Sequence, residues 1–229
     1  MPARPPILNI MSVACAVVVT SLLVRKEVFS ATEPAVRRVT VRDSGSSHAV
    51  EGWDKLRAIG HRIGPDSAGV HIVEFADFEC PYCGKFANQT WRGLRAKFGD
   101  RIQLIFRHWP LSYHRFAYPT ARAAECAAAQ GRFEAFHDSI YSEQDSLGLV
   151  AFDAFAKKAG VADISAFVEC FKKGGKVPAI EADIAAAVAV GATGTPAVIV
   201  DGQLLGFMPD SAESDRMIVS ALTRSKLVH

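Results

Sequence analysis

The sequence has almost no excess of charge of either sign. Its 26 basic and 24 acidic side chains leave a formal net charge of +2, too small to argue for nucleic acid or an anionic membrane surface as a partner. No nucleotide-binding or metal-binding motif appears, so no external cofactor and no metal is expected. Cysteine is scarce, with five in 229 residues. What remains is ordinary: 49% hydrophobic, 22% charged and 9% aromatic residues. That composition excludes disorder over the bulk of the chain and suits one or two compact domains with a real core.

The N-terminus departs from this average. Ile7 to Val24, "ILNIMSVACAVVVTSLLV", is a run of 18 residues without a charge, preceded by Arg4 and followed at once by Arg25 and Lys26. Its length suits a spanning helix and exceeds a typical signal h-region. Two readings stand: a signal-anchor, which the length favours, or a signal peptide cleaved after "VFS" before Ala31. In either case the first 26 residues direct export, and residues 7–24 hold the chain to the membrane if uncleaved. Basic residues at both ends weaken an orientation argument. Cys15 lies inside the run and "SVA" before it is a poor lipobox. Residues 27–50 are polar, basic and Ser-rich and read as a linker, with "RRVTVR" as an edge strand the alternative.

Beyond the linker, "GWDKLRAIG" reads as a short helix and "VHIVEFAD" (70–77) as a buried strand. "PYCGKFANQTWRGLRAKFG" (81–99) has helical spacing, with Phe86, Trp91, Leu94 and Phe98 on one broad face and Gly99 as the stop. "RIQLIFRHW" (101–109) is a second strand, so this half is a strand-helix-strand parallel unit. An Ala-rich helical block follows to about 190, with four or five helices and no exact repeat. "TPAVIVDGQLLGF" (195–207) is a hairpin turning at Asp201-Gly202, and a helix starting near Ser211 closes the chain. The last strands need a sheet to join. One mixed α/β sheet interrupted by a helical insertion is therefore expected, with a core domain of residues 51–112 and 188–229 and an insertion of 113–187.

The chemistry centres on "FECPYC". Cys80 stands where the helix begins, and Pro81 suits the first helical position because its missing N–H costs nothing there. The unpaired N–H groups and positive dipole end then face the Cys80 sulfur and favour thiolate over thiol. Cys83, one turn on, is within reach for a disulfide and is expected to be less exposed. Cys80 would exchange with an outside thiol or disulfide, and Cys83 would resolve the mixed disulfide. A zinc half-site is the alternative, but neither Cys126 nor Cys170 has a close cysteine or histidine partner in sequence. A purely structural disulfide closing so small a loop would constrain little. Glu74, inside the apolar strand, is expected to point inward, with a raised pKa, and to shuttle protons to Cys83. Pro196 opens a strand after Thr195, a place where a cis bond is possible. His108, His114 and His137 read as packing or surface residues, and Asp201 as a turn.

Taken together, "FADFECPYC", the helical block and Gly194-Thr195-Pro196 resemble the thioredoxin fold as used by DsbA-type thiol:disulfide oxidoreductases, in particular the membrane-tethered or secreted bacterial group. The resemblance runs from about residue 60 to the C-terminus. It implies a cis Thr195–Pro196 bond packed on the Cys80–Cys83 pair. It also implies substrate contact by Pro81, Tyr82, Thr195 and Pro196, with extended chain bonding the Thr195 backbone. Cys80 would be the nucleophile and Glu74 the buried acid. Tyr82 departs from the pattern, since the best-known oxidising members carry histidine there; without that positive charge a less oxidising protein is expected. Cys-Pro-Tyr-Cys also resembles glutaredoxins, which are small and lack a long insertion. Cysteines in similar places in related sequences imply a structural disulfide between Cys126 and Cys170, with two buried free thiols the alternative.

The expected activity is that of an extracytoplasmic enzyme, in the periplasm or cell envelope, that forms or exchanges disulfides in exported proteins. Its partners would be exported thiols and disulfides and a membrane quinone-linked protein that reoxidises it, with no nucleic acid. A disulfide reductase or isomerase is the first alternative, although isomerases of this type carry a dimerisation domain for which the chain has no room. A peptide-binding chaperone with incidental thiols is the second.

Overall fold

The computed structural model describes residues 47–205 and 211–227. The apolar segment 7–24, with its signal or anchor reading, and "RRVTVR" lie outside the described residues. Among those described, no helix is long and apolar enough to cross a membrane. In chain order the elements are β1 (His48–Ala49), α1 (Trp53–Arg57), β2 (His61–Ile63) and β3 (Val70–Ala76). Next comes α2 (Pro81–Lys85), which runs through a π-helical stretch (Phe86–Trp91) into α3 (Arg92–Phe98), followed by β4 (Ile102–His108). The block that follows holds α4 (Ala117–Ala128), α5 (Phe133–Ser142), α6 (Phe152–Lys158), α7 (Ile164–Lys172) and α8 (Pro178–Ala189). The chain closes with β5 (Ala197–Val200), β6 (Gln203–Leu204) and α9 (Ser211–Leu227).

The strands form one sheet in the order β1-β6-β5-β3-β4-β2. β3 and β4 are parallel, because the helix between them carries the chain back across the sheet face, and every other pairing is antiparallel. The chain therefore returns after the helical block and places β5 on the free edge of β3. The Asp201-Gly202 turn joins β5 to β6 with φ of +48° and +81°, the pair of positive values a two-residue hairpin needs. Two short strands extend the expected sheet. β2 pairs with β4; at three residues it is too short for alternation to show. β1 pairs with β6, so the last residues read as linker belong to the sheet edge.

Alternation in β3 sends its residues to two apolar layers. Val70, Ile72 and Ala76 face a core with Phe78, Phe86, Leu104, Phe106, Val198 and Ile218. Val73 and Phe75 face a second, with Ile105, Ala187 and Ile199, covered by Trp53 and Leu56 of α1. Each buried Phe or Ile contributes about 1.5–3 kcal/mol relative to exposure. In α4 the buried face is almost all alanine, with Ala117, Ala121, Ala123, Ala124 and Ala127, which lets neighbouring helices approach closely. Cys126 of α4 is bonded to Cys170 of α7 (S–S 2.00 Å, Cα–Cα 5.8 Å). A buried ion pair joins sheet to helix: Arg107 Nε donates to Asp183 Oδ1 at 2.6 Å, and the His108 backbone N–H donates to Asp183 Oδ2 at 2.8 Å.

Candidate active site

The thiols sit where β3 hands over to α2. Cys80 has extended backbone (φ −69°, ψ 122°) and caps α2, with Pro81 at its start. The two thiols are unbonded to each other. Cys83 is fully buried and Cys80 only 4% exposed. The cap residue is thus less open than its position alone suggests, because the Thr195 loop lies against it: the Cys80 Sγ is 3.4 Å from the Thr195 carbonyl oxygen. The Thr195–Pro196 bond that follows is cis. Pro81 and Tyr82 face outward, Tyr82 at 64% exposure.

The electrostatics separate the two sulfurs. The hydrogen bond from the Cys83 thiol lowers the Cys80 pKa from 9.0 to about 5. Burial opposes this, while the Thr195 side chain and the N–H groups of Cys83 and Tyr82 assist. The Thr195 carbonyl accepts the S–H of the neutral thiol and so works against ionisation; the donors outweigh it. Burial pushes the Cys83 thiol well above its ordinary value, with the Cys80 hydrogen bond and then the acidic groups around it adding to the effect. The Asp77 N–H donates to the Cys83 Sγ at 3.5 Å and opposes this rise. No cation at position 82 is involved.

Glu74 shares the side of β3 that carries Ile72 and Ala76. Its register partners across the sheet are Phe106 and Val198, so no polar group is offered from either flank. It is fully buried, and neither carboxyl oxygen has a hydrogen-bond partner. Burial first, and then the Cys80 charge, raises its pKa well above the ordinary value. A neutral carboxyl beside an ionised sulfur is the arrangement this favours.

Asp77, inside the thiol motif, and Gln144, Tyr141 and His114, which carry no local sequence signal, shape the site further. Gln144, from the turn after α5, donates through Nε2 to the carbonyls of Phe78 (2.7 Å) and Cys80 (2.9 Å). It lies close over Gly84, where an added Cβ would crowd the Gln144 amide. Asp77 accepts from the Glu79 N–H (2.7 Å), the Leu111 N–H (2.8 Å) and His114 Nδ1 (2.8 Å), fixing the turn that leads to Cys80. The buried Tyr141 hydroxyl donates to the Asp77 carbonyl at 3.3 Å. His137 is buried and, like His108, packs among Phe78, Phe106 and Phe133. Cys126 and Cys170 are bonded to each other within the insertion.

A thioredoxin family model matches residues 58–219, well over half of the chain. Curated relatives include a protein named Na(+)/H(+) antiporter NhaA from Herminiimonas arsenicoxydans, 37% identical over 64% of this chain. The chain spans about a quarter of that relative's length, the match covering 23% of it. Among solved structures, oxidised BdbD from Bacillus subtilis superposes with a TM-score of 0.66 at 20% identity, covering 78% of this chain and 98% of that one. The α-DsbA1 of Wolbachia pipientis gives a TM-score of 0.58 at 19% identity, covering 72% and 92%. With its parallel β3–β4 unit, its return to the sheet after a helical insertion and this match along most of its length, the chain belongs to the thioredoxin family and has a DsbA-like fold.

Proposed function

We propose that the protein is a thiol:disulfide oxidoreductase that forms or exchanges disulfide bonds in exported proteins through Cys80 and Cys83. What carries this reading is the placement of the two sulfurs: Cys80 caps α2 against the Thr195 loop, which goes with a pKa lowered to about 5, and Cys83 is fully buried behind it, which raises its own. In the oxidising direction a substrate thiolate attacks Sγ of Cys80, a substrate–Cys80 disulfide forms, and Cys83 leaves and takes up a proton, for which Glu74 is the nearby carboxyl. A second substrate thiolate then attacks the substrate sulfur, and Cys80 leaves as the thiolate. The net change is two substrate thiols to one disulfide and the enzyme disulfide to a dithiol. The enzyme is regenerated when a membrane quinone-linked partner takes the two electrons. Stabilising the Cys80 thiolate stabilises the reduced enzyme, which favours oxidation of substrates over their reduction.

Tyr82 and Pro81, exposed beside Cys80, and the backbone at Thr195 next to cis Pro196 form the surface on which extended substrate docks. The work takes place outside the cytoplasm, with residues 7–24 as signal or anchor. The test is to trap mixed disulfides with Cys83→Ala and to ask whether Cys80→Ser complements a null strain. Exported proteins captured on Cys80 are expected. Full complementation by Cys80→Ser would transfer the role to a peptide-binding groove, and a reduction potential close to that of thioredoxin would reverse the direction.

A further inference from the structure

Away from the thiols, three metal-ligating side chains from three elements meet at one point. His61 lies on β2, His108 at the end of β4 and Glu125 on α4. Both imidazoles direct Nε2 at the same carboxylate oxygen, Glu125 Oε1, from 2.6 Å for His61 and 3.0 Å for His108. One ligand atom from each residue lies within 4.8 Å of the other two. β2 pairs with β4 so that His61 stands opposite Phe106. His108 is two residues further along the same strand and therefore on the same face. The β2–β4 pairing thus sets both imidazoles beneath the helix that supplies the carboxylate.

The rings are held before any ligand arrives. His61 stacks on Phe133 with centroids 3.7 Å apart and planes 9° from parallel. His108 stands edge-on to Phe106 at 5.2 Å and to Phe133 at 5.9 Å. Rings fixed by packing lose little freedom on coordination, which is what a preorganised site requires. One side is open: the His61 and Glu125 side chains are 22% and 20% exposed, while His108 is 1% exposed and forms the floor.

We infer that His61, His108 and Glu125 form a binding site for a zinc-type transition-metal dication, with water in a fourth position on the exposed side. Two imidazoles and one carboxylate are a donor set that suits Zn²⁺ and also Co²⁺, Ni²⁺ and Cu²⁺, whereas Ca²⁺ and Mg²⁺ call for oxygen alone. Tetrahedral ligands about 2.0 Å from zinc stand about 3.3 Å apart, so each imidazole nitrogen needs to part from the carboxylate oxygen by less than an ångström, while the two nitrogens, within 4.8 Å of each other, settle to the same spacing. Each Nε2–H···O hydrogen bond is replaced by an Nε2–metal bond, and the ring proton moves to Nδ1. In His108 that atom is buried without a protein partner, so a water is the acceptor its N–H would use. The metal would fasten the short strand β2 to β4 and to the first helix of the insertion. This inference does not depend on the thiol chemistry.

The test uses tag-free protein with Cys80 and Cys83 oxidised to the disulfide, so that neither sulfur can coordinate. Zn²⁺ is titrated by calorimetry and Co²⁺ by its visible absorption. One ion per chain is expected, with N/O-type cobalt bands, no sulfur charge-transfer band and a rise in thermal midpoint with added Zn²⁺. His61→Ala and Glu125→Gln should each weaken uptake by more than about tenfold, the least that loss of even an outer partner costs. His61→Gln serves if His61→Ala fails to fold. Absence of saturable uptake overturns the inference, as does uptake that folded variants retain at unchanged affinity, which would leave the three residues a hydrogen-bonded tether only.

Discussion

The pH dependence of the reduced protein tests the electrostatic argument most directly. The folded pKa of Cys80 is about 5, against 9.0 for the ordinary thiol. A depressed pKa gives stability that is complete above the unfolded value, decreases as pH falls between the two values, and is gone once pH has dropped through the folded one. At pH 7 the reduced form holds two units of that range, or about 2.7 kcal/mol at about 1.4 kcal/mol per unit. Solvent screening at the mouth of the site trims this to about 2 kcal/mol. The oxidised form has no Cys80 thiol to titrate, so comparing the two forms cancels most other groups. Urea melts of both forms at pH 4.5 and pH 7 should show the reduced protein gaining about 2 kcal/mol on the oxidised one as pH rises, or about 40 mV in disulfide potential. Thiolate absorbance at 240 nm should titrate with a midpoint close to 5. A midpoint of 8 to 9, with a stability difference that ignores pH, would refute the account of Cys80.

Other outcomes follow from the same geometry. Glu74→Gln should preserve the fold, because the native carboxyl is already pushed toward its neutral form, yet slow resolution of the Cys80 mixed disulfide by about 10²-fold in single-turnover kinetics. Replacing both Cys126 and Cys170 by alanine opens a link across 44 residues of chain and should cost about 4 kcal/mol in urea denaturation. Asp183→Asn leaves Arg107 buried without its counter-charge and should cost about 3–5 kcal/mol, read as a lowered denaturation midpoint. Gln144→Ala strips the side-chain donor from two carbonyls of the thiol turn. It should cost about 1–3 kcal/mol, read as a lowered urea midpoint.

How much of this was legible in the sequence depends on how far apart the partners lie along the chain. The place of Cys80 at a helix start was legible because the signals are adjacent: a strand period before it, proline after it, helical spacing beyond. The burial of Glu74 was legible because the strand around it is almost wholly apolar, and both faces of β3 are covered. The hairpin at Asp201-Gly202 was legible because a two-residue turn restricts its residues so strongly. β2 was not, since three residues carry no period and its pairing with β4 is a tertiary decision. Nor was the π-helical stretch at Phe86–Trp91, whose composition resembles the helix on either side of it.

The parts of the site that were missed have a common origin. Gln144 meets Cys80 across 64 residues, Tyr141 meets Asp77 across 64, and His114 meets Asp77 across 37. All three come from the region after β4, and all three act on the turn between β3 and α2. The region that reads in sequence as an interruption of the sheet is therefore also the wall of the thiol site. It places an amide on the carbonyl of the nucleophile and a buried phenol on the residue whose N–H holds Cys83. A bare strand–helix junction would leave those carbonyls and Cys83 to water. Water at Cys83 would let its thiol ionise more readily, and the contrast between the two sulfurs would narrow. The helical block thus bears on the chemistry through the dryness of Cys83, a property that no local pattern around "CPYC" could announce.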